Sequence, residues 1–295
     1  MSEDGELAIV LIAMQGNPFS PDYFRARRRG PASPFAFCSM HVAVYGRDGR
    51  GSAWAFEERA IEPALREPSR LRIGRSAVGW EEGRLVFALD ERTTPAPRYN
   101  PFRRPVRGRV VVHPEHFTGL ELAIDAHGEH RWFPMAPLAR IEVELSEPAV
   151  RFTGHGYLDA NLGAVALDRA FETWSWSRAR VGDEAYLTYD VRCADGARRT
   201  HAFGVSARRG TEPLERTWRA PLERSFWRIP RDARVDAGEP ARIVRSLEDG
   251  PFYTRALIST RLAGRPVVAV HETLAAHRLR RRWVRFCTSY KMRSG

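Results

Sequence analysis

Apolar residues recur at every second position through most of this chain. "RIEVELSEPAV", residues 140–150, alternates Ile141, Val143 and Leu145 with Arg140, Glu142 and Glu144. "RLVFALDE" sets Leu85, Phe87 and Leu89 on one side, and "EAYLTYDVR", "GRVVVHP", "SMHVAVYG" and "GRPVVAVHE" read the same way. A period of two belongs to a strand with one face buried. Between these runs lie the turn signals "GRDGRG", "WEEGR", "CADGARR" and "LEDGPF". Helical spacing is scarce; "FEERAIEPALRE", residues 56–67, is the best helix candidate, weakened by its internal Pro63. Many short strands separated by turns predict an all-β chain of sandwich or barrel type with little helix.

The 295 residues are enough for two domains or one large β-structure. The alternation breaks over "NLGAVALDRAF", residues 161–171, which places a boundary near residue 170 and divides the chain into 1–170 and 171–295. The longest apolar run, "LAIVLIAM" at 7–14, is far short of the ~20 residues a membrane-spanning helix needs. It lacks the basic flank and cleavage site of a signal peptide, so a cytoplasmic or peripherally membrane-bound protein is expected. Cys38, Cys193 and Cys287 are odd in number and widely spaced, which reads as free thiols rather than a disulfide framework or a metal site. No GxGxxG on a strand–helix unit, P-loop, HExxH or GxSxG occurs, so the common nucleotide, zinc-hydrolase and serine-hydrolase chemistries are unexpected, and neither cofactor nor metal is called for.

Charge changes the picture of partners. The net charge is +11, and almost all of the positive charge is arginine, Lys291 being the single lysine. Two basic clusters stand out, "FRARRRG" at 24–30 and "HRLRRRWVR" at 277–285. Such clusters favour anionic partners. No helix-turn-helix, zinc-finger or RNP-type signature accompanies them, so nucleic acid is not expected and an anionic membrane surface is.

One stretch carries candidate chemistry. In "RFTGHGYLDANLG", residues 151–163, His155, Tyr157, Asp159 and Asn161 alternate and would share one face of a strand. Upstream, His130 and Trp132 are also separated by one residue. A strand and turns link the two pairs, a geometry that lets them face each other across a pocket. Taken singly, each residue has an ordinary structural reading: Trp132 as core, His130 as a satisfied histidine, Asp159 and Asn161 as turn formers beside glycine. In "WSWSRAR", Trp174 and Trp176 share a strand face, as wall of a ligand tunnel or as plain core.

"FSPDYFRARRRG", "CSMHVAVYG", "HRWFPMAPLARIEVEL", "GYLDANLG", "WSWSRAR", "PFYTRALIST" and "VHETLAAHRLRRRWVR", in this order from about residue 8 to the C-terminus, together resemble the carotenoid 1,2-hydratases, also called hydroxyneurosporene synthases. The resemblance implies two packed lipocalin-like β-domains, no cofactor, and hydration of the terminal C1–C2 double bond of acyclic carotenoids. It also implies that a His-x-Trp pair and a Tyr-x-Asp pair are catalytic, which here means His130, Trp132, Tyr157 and Asp159. The chain departs from the expected pattern at Asp22 and Phe24, where aromatic and small residues are expected, and at Leu158 and Ala160, where histidines are common in the wider superfamily. These departures touch substrate fit.

The reaction suits these residue types. An isolated alkene is a weak base, so hydration starts with proton delivery from a well-placed acid. Protonation at C2 leaves the more stable tertiary cation at C1. Asp159 is the natural donor if burial raises its pKa well above ~3.9. Trp132 and Tyr157 supply apolar walls and π faces for the cation, or Tyr157 instead hydrogen-bonds Asp159 and holds it in place, and a neutral His130 orients water and takes its proton. Two rival readings are a non-catalytic lipocalin-like carrier, which needs a pocket but no acid, and a pericyclase-like enzyme that shapes its substrate without one.

Overall fold

The computed structural model describes residues 1–46, 51–61, 66–94 and 102–288. The chain gathers into two compact units, neither of them one continuous stretch. The first takes Met1–Pro114, Ala139–Gly156 and the segment from Arg285; the second takes Glu115–Leu138 and Tyr157–Val284. The pattern break expected near residue 170 coincides with a short helix inside the second unit, Leu167–Ala170.

In the first unit, β1 (Ala8–Met14), β2 (Cys38–Tyr45) and β3 (Ala53–Arg59) make an antiparallel sheet. β4 (Arg66–Glu67), β5 (Arg70–Ile73), β6 (Ser76–Glu81), β7 (Arg84–Arg92) and β8 (Pro105–His116) follow as an antiparallel meander. β9 (Leu122–Ala123) pairs with the start of β10 (His130–Glu147), which neighbours β11 (Val150–Gly163). β10 and β11 each contribute residues to both units. The alternation is realised in them: Ile141, Val143 and Leu145 are buried, Arg140 and Glu144 exposed.

The helix candidate at 56–67 is corrected. Phe56–Arg59 closes β3, in register with β2 as Phe56 against His41 and Arg59 against Cys38. Cross-strand pairing and the burial of Phe56 outweigh the helical charge spacing, as tertiary context does for a short segment. Residues 62–65 of that candidate lie outside the described residues. The first helix is α1, Pro21–Arg29, within the N-terminal basic cluster. Its signals are local. Ser20 Oγ accepts from Tyr23 N at 2.9 Å, Pro21 opens the first turn, and Arg27, Arg28 and Arg29 sit at the negative end of the helix dipole.

In the second unit, β12 (Phe171–Val181), β13 (Glu184–Cys193), β14 (Arg198–Ser206) and β15 (Gly210–Pro213) precede the ribbon of β16 (Trp218–Leu222) and β17 (Arg231–Val235). Then come β18 (Arg242–Asp249), β19 (Tyr253–Leu262) and β20 (Arg265–Leu274). The sheet order is β15-β14-β13-β12-β20-β19-β18, antiparallel throughout. One face, with Ala179, Tyr186, Ala256, Ile258 and Ala269, packs on Ala220, Leu222, Ala233 and Val235 of the ribbon. On that same face His271 is buried between two hydroxyls, Ser177 Oγ at 2.8 Å and Thr273 Oγ1 at 3.1 Å. Burial and the nearby Arg231 charge lower its pKa to about 3, so the ring is neutral. The opposite face carries Trp174 and Trp176 from β12, as the period of two requires.

Candidate active site

Strand register fixes the wall of the site before any side chain is considered. β12 and β13 form a hairpin that sets Trp176 opposite Tyr189 and Trp174 opposite Val191. β20 sets Glu272 opposite Trp176, β19 sets Arg255 opposite Glu272, and β14 sets His201 opposite Tyr189 and Phe203 opposite Leu187. Directly paired residues project to the same face. Trp174, Trp176, Tyr189, His201, Phe203 and Glu272 therefore share one side of the sheet.

Onto this wall come the arms of β10 and β11 that belong to the same unit. Trp132 is fully buried, its ring edge-on to Tyr189 at 5.1 Å and tilted against Phe203 at 5.7 Å. Its Nε1–H points to Tyr157 Oη at 3.1 Å and to Asp159 Oδ2 at 3.0 Å. Tyr157 Oη donates in turn to Asp159 Oδ2 at 3.0 Å, and the Tyr157 ring lies 5.1 Å from Trp176. Asn161 also hydrogen-bonds Asp159. The alternation expected for "GYLDANLG" thus sets Tyr157 and Asp159 on one side of β11, where they meet Trp132 across the two strands.

Tyr157 and Asp159 each keep a partly accessible surface, yet protein encloses the carboxyl on enough sides to strip most of its water. That desolvation raises the Asp159 pKa to about 6. The hydrogen bonds from Trp132 and Tyr157 pull it down, and the charge of Glu272 pushes it up. Loss of water also drives the Tyr157 hydroxyl well above its usual value, with the Asp159 charge second. The phenol therefore stays protonated and acts as a donor. Glu272 is fixed by Arg255, whose Nε donates to Glu272 Oε1 at 2.8 Å while Nη1 donates to Glu248 Oε1 at 2.7 Å.

Of the residues singled out in the sequence, Trp132, Tyr157 and Asp159 form one hydrogen-bonded trio, and Trp176 packs on it. Trp174 stands further along the wall, against Tyr189 at 5.5 Å and Tyr253 at 6.5 Å. His130 is buried on the same face of β10 as Trp132; its ring meets Phe171 edge-on at 4.7 Å and lies beside Gly163. A Cβ at Gly163 would fall 2.5 Å from His130 Nδ1, so glycine is what admits the imidazole there. Tyr189, Phe203, Glu272 and Arg255 were not singled out. For Tyr189 the signal was the hairpin register across the turn at Gly182, which brings "EAYLTYDVR" against "WSWSRAR"; Phe203, Glu272 and Arg255 reach the wall through the pairings of β14, β20 and β19.

A lipocalin-like antiparallel β protein with a carboxyl set in an aromatic wall is the class that this fold and site define. The sequence profile of the carotenoid hydratase CrtC family matches residues 11–293, and the chain belongs to that family. It is 38% identical over 293 residues to an acyclic carotenoid 1,2-hydratase of Thiocapsa roseopersicina, covering 99% of this chain and 70% of the relative. It is 36% identical over 270 residues to the protein of the same name from Cereibacter sphaeroides, covering 92% of each. Among solved structures, an AttH-type protein from Nitrosomonas europaea superposes with a TM-score of 0.60 over 94% of this chain and 89% of that one, at 12% identity. CghA with Sch210972 gives 0.54 over 94% and 86%, also at 12% identity. At such identity these two likenesses concern the fold alone.

Proposed function

We propose that this chain adds water across the terminal C1–C2 double bond of an acyclic carotenoid of the neurosporene or lycopene type, with Asp159 as the general acid. The observation that carries the reading is the Asp159 carboxyl, raised to a pKa of about 6 and hydrogen-bonded by Trp132 and Tyr157. Membership of the carotenoid hydratase family supplies the substrate class.

Because Oδ2 already accepts two donors, the transferable proton belongs on Oδ1. It passes to C2, the π pair forms the new C–H bond, and C1 becomes a tertiary cation. The two donors on Oδ2 stabilise the carboxylate as it forms, the role of preorganised dipoles in a site where charge develops. The faces of Trp176 and Tyr157 stabilise the cation, an attraction of roughly 2 kcal/mol when desolvated. Water, oriented by His130, attacks C1, and its surplus proton returns to Asp159. Atoms balance as one water added, with no redox step and no cofactor. A carrier or a pericyclase-like enzyme would need the aromatic wall but not a carboxyl whose pKa is raised to about 6.

The polyene dissolves in membranes, so only its end has to enter the protein. No helix among the described residues is long and apolar enough to cross a membrane. The reading is completed by peripheral attachment at the cytoplasmic face, with arginines toward anionic lipid. The test is hydration in D₂O with purified protein and lycopene or neurosporene. The expected product carries one deuterium at C2 and a hydroxyl at C1. Asp159→Asn is expected to lose ~10²–10⁴-fold in kcat while still binding polyene. A folded Asp159→Asn protein with nearly full activity would remove Asp159 from the mechanism.

A further inference from the structure

The loop joining β16 to β17, "ERSFWRIP" at residues 223–230, is held rigidly while its apolar tip faces water. Ser225 Oγ accepts from Ile229 N at 3.2 Å, and Arg228 N donates to Ser225 O at 2.8 Å. Phe226 N donates to Asp249 Oδ2 at 2.8 Å, and Trp227 Nε1 donates to the Asp249 carbonyl at 3.2 Å. From the C-terminal basic cluster, Arg278 Nη1 donates to Trp227 O at 2.8 Å and to Pro251 O at 3.1 Å. Ile229 is fully buried, and Arg228 takes a left-handed φ of 58°. The loop's backbone is thus tied down from several sides while Phe226 faces solvent, with Trp227 half-buried beside it and held by its indole N–H.

Phe226 is 65% exposed and Trp283 is 49% exposed. Trp227 joins them, 5.6 Å from Phe226 and 6.0 Å from Trp283 between ring centroids. Exposed arginines flank these rings in the chain: Arg224 and Arg228 on the loop, Arg281 and Arg282 before Trp283, against one acid of the loop, Glu223. A rigid aromatic knob on a soluble surface costs hydration unless something covers it. Exposed phenylalanine and tryptophan with arginine beside them in the chain match the headgroup zone of a bilayer, where apolar rings sink and guanidinium groups meet phosphate.

We propose that Phe226, Trp227 and Trp283, with Arg224, Arg228, Arg281 and Arg282, form the surface by which this unit docks on an anionic lipid bilayer. Charge complementarity selects lipid over a second copy of this chain, because two such surfaces would bring arginine against arginine. The route to the site is short in structural terms. Asp249 and Pro251, which anchor the loop, belong to the turn that leads into Tyr253, and the Tyr253 ring contacts Trp174 of the aromatic wall. That route rests on the hydratase reading; the docking does not.

The experiment is sedimentation of the full chain with vesicles of phosphatidylcholine containing phosphatidylglycerol, against phosphatidylcholine alone, in the absence of substrate. Wild type is expected to prefer the anionic vesicles. Phe226→Ser combined with Trp283→Ser is expected to weaken partitioning by at least ~10-fold at both low and high salt, since the buried apolar area is lost. Arg281→Glu with Arg282→Glu is expected to abolish the preference for phosphatidylglycerol. In case the aromatic variants fold poorly, wild-type tryptophan fluorescence should be quenched by vesicles of brominated lipid. Unchanged partitioning of a folded Phe226→Ser, Trp283→Ser protein overturns the proposal, as does absence of quenching. A wild-type dimer that Phe226→Ser converts to monomer also overturns it and assigns the patch to self-association. None of these readouts requires turnover, so their failure is separate from failure of the hydratase reading.

Discussion

The carboxyl of Asp159 receives hydrogen bonds from Trp132 and Tyr157 and still ionises late, because the water it lost stabilised its charge more than two donors do. With a folded pKa of about 6, about one carboxyl in ten carries its proton at pH 7. The kcat profile is therefore expected to fall as pH rises through about 6, and Glu272→Gln, which removes the charge opposing ionisation, is expected to move that limb to lower pH. Stability has the same sign. Between the ordinary carboxyl value of 3.8 and about 6 the folded chain holds a proton that the unfolded chain has released, so stability is lost as pH rises through this window. Asp159→Asn is expected to raise stability at pH 8 by about 1–3 kcal/mol, measured by urea unfolding. Gly163→Ala offers a complementary check on His130. The new Cβ would displace the imidazole, and activity should drop with little change in polyene binding. The trio was legible in the sequence because Tyr157 and Asp159 obey strand parity and because the His-x-Trp and Tyr-x-Asp pairs resemble a known family. Their mutual hydrogen bonds were not, since spacing along one strand does not say which residues of another strand it meets.

At the level of elements, β12 is what separates chemistry from scaffold. Its even positions Trp174 and Trp176 face the site, while Ser177 and Ala179 face the ribbon of β16 and β17. The second face holds the neutral His271. Its folded pKa of about 3 lies below its usual 6.5, so its contribution is fully present above 6.5 and is lost as pH falls toward 3. His271→Gln should flatten the acid side of the stability curve. Arg255 couples the site to its sheet. It is almost fully buried between Glu248 and Glu272, and Arg255→Met, which strands both carboxylates, is expected to cost about 3–5 kcal/mol. Adding Glu272→Gln should recover part of that loss, a coupling measurable by a double-mutant cycle. The strands themselves were readable from alternation. The helix candidate at Phe56–Glu67 was not, because charges at helical spacing say nothing of the β2 partner waiting for Phe56. α1 went unread for the opposite reason. Its Ser-Pro-Asp entry and arginine-rich exit are helix signals that the charge cluster concealed.

For the molecule as a whole, the arginine excess divides into two kinds that composition does not distinguish. Within "HRLRRRWVR", Arg278 holds the Phe226 loop and Arg280 bonds the Asp168 carbonyl and Glu172, while Arg281 and Arg282 face solvent. Charge counting alone therefore overstates the part of this cluster that can attract a partner. The chain passes between its two compact units more than once. That interleaving has a consequence for how such a protein can be taken apart or inherited. Trp132 and Asp159 reside on the β10–β11 pair, whose turn-side portion, Ala139–Gly156, is counted with the first unit. A gene fragment beginning at Phe171 would encode the aromatic wall without its acid, and one ending at Ala170 the acid without its wall. The Asp159 carboxyl and the surface that tunes its pKa form an inseparable inheritance, so recombination at the apparent seam parts them rather than exchanging two modules.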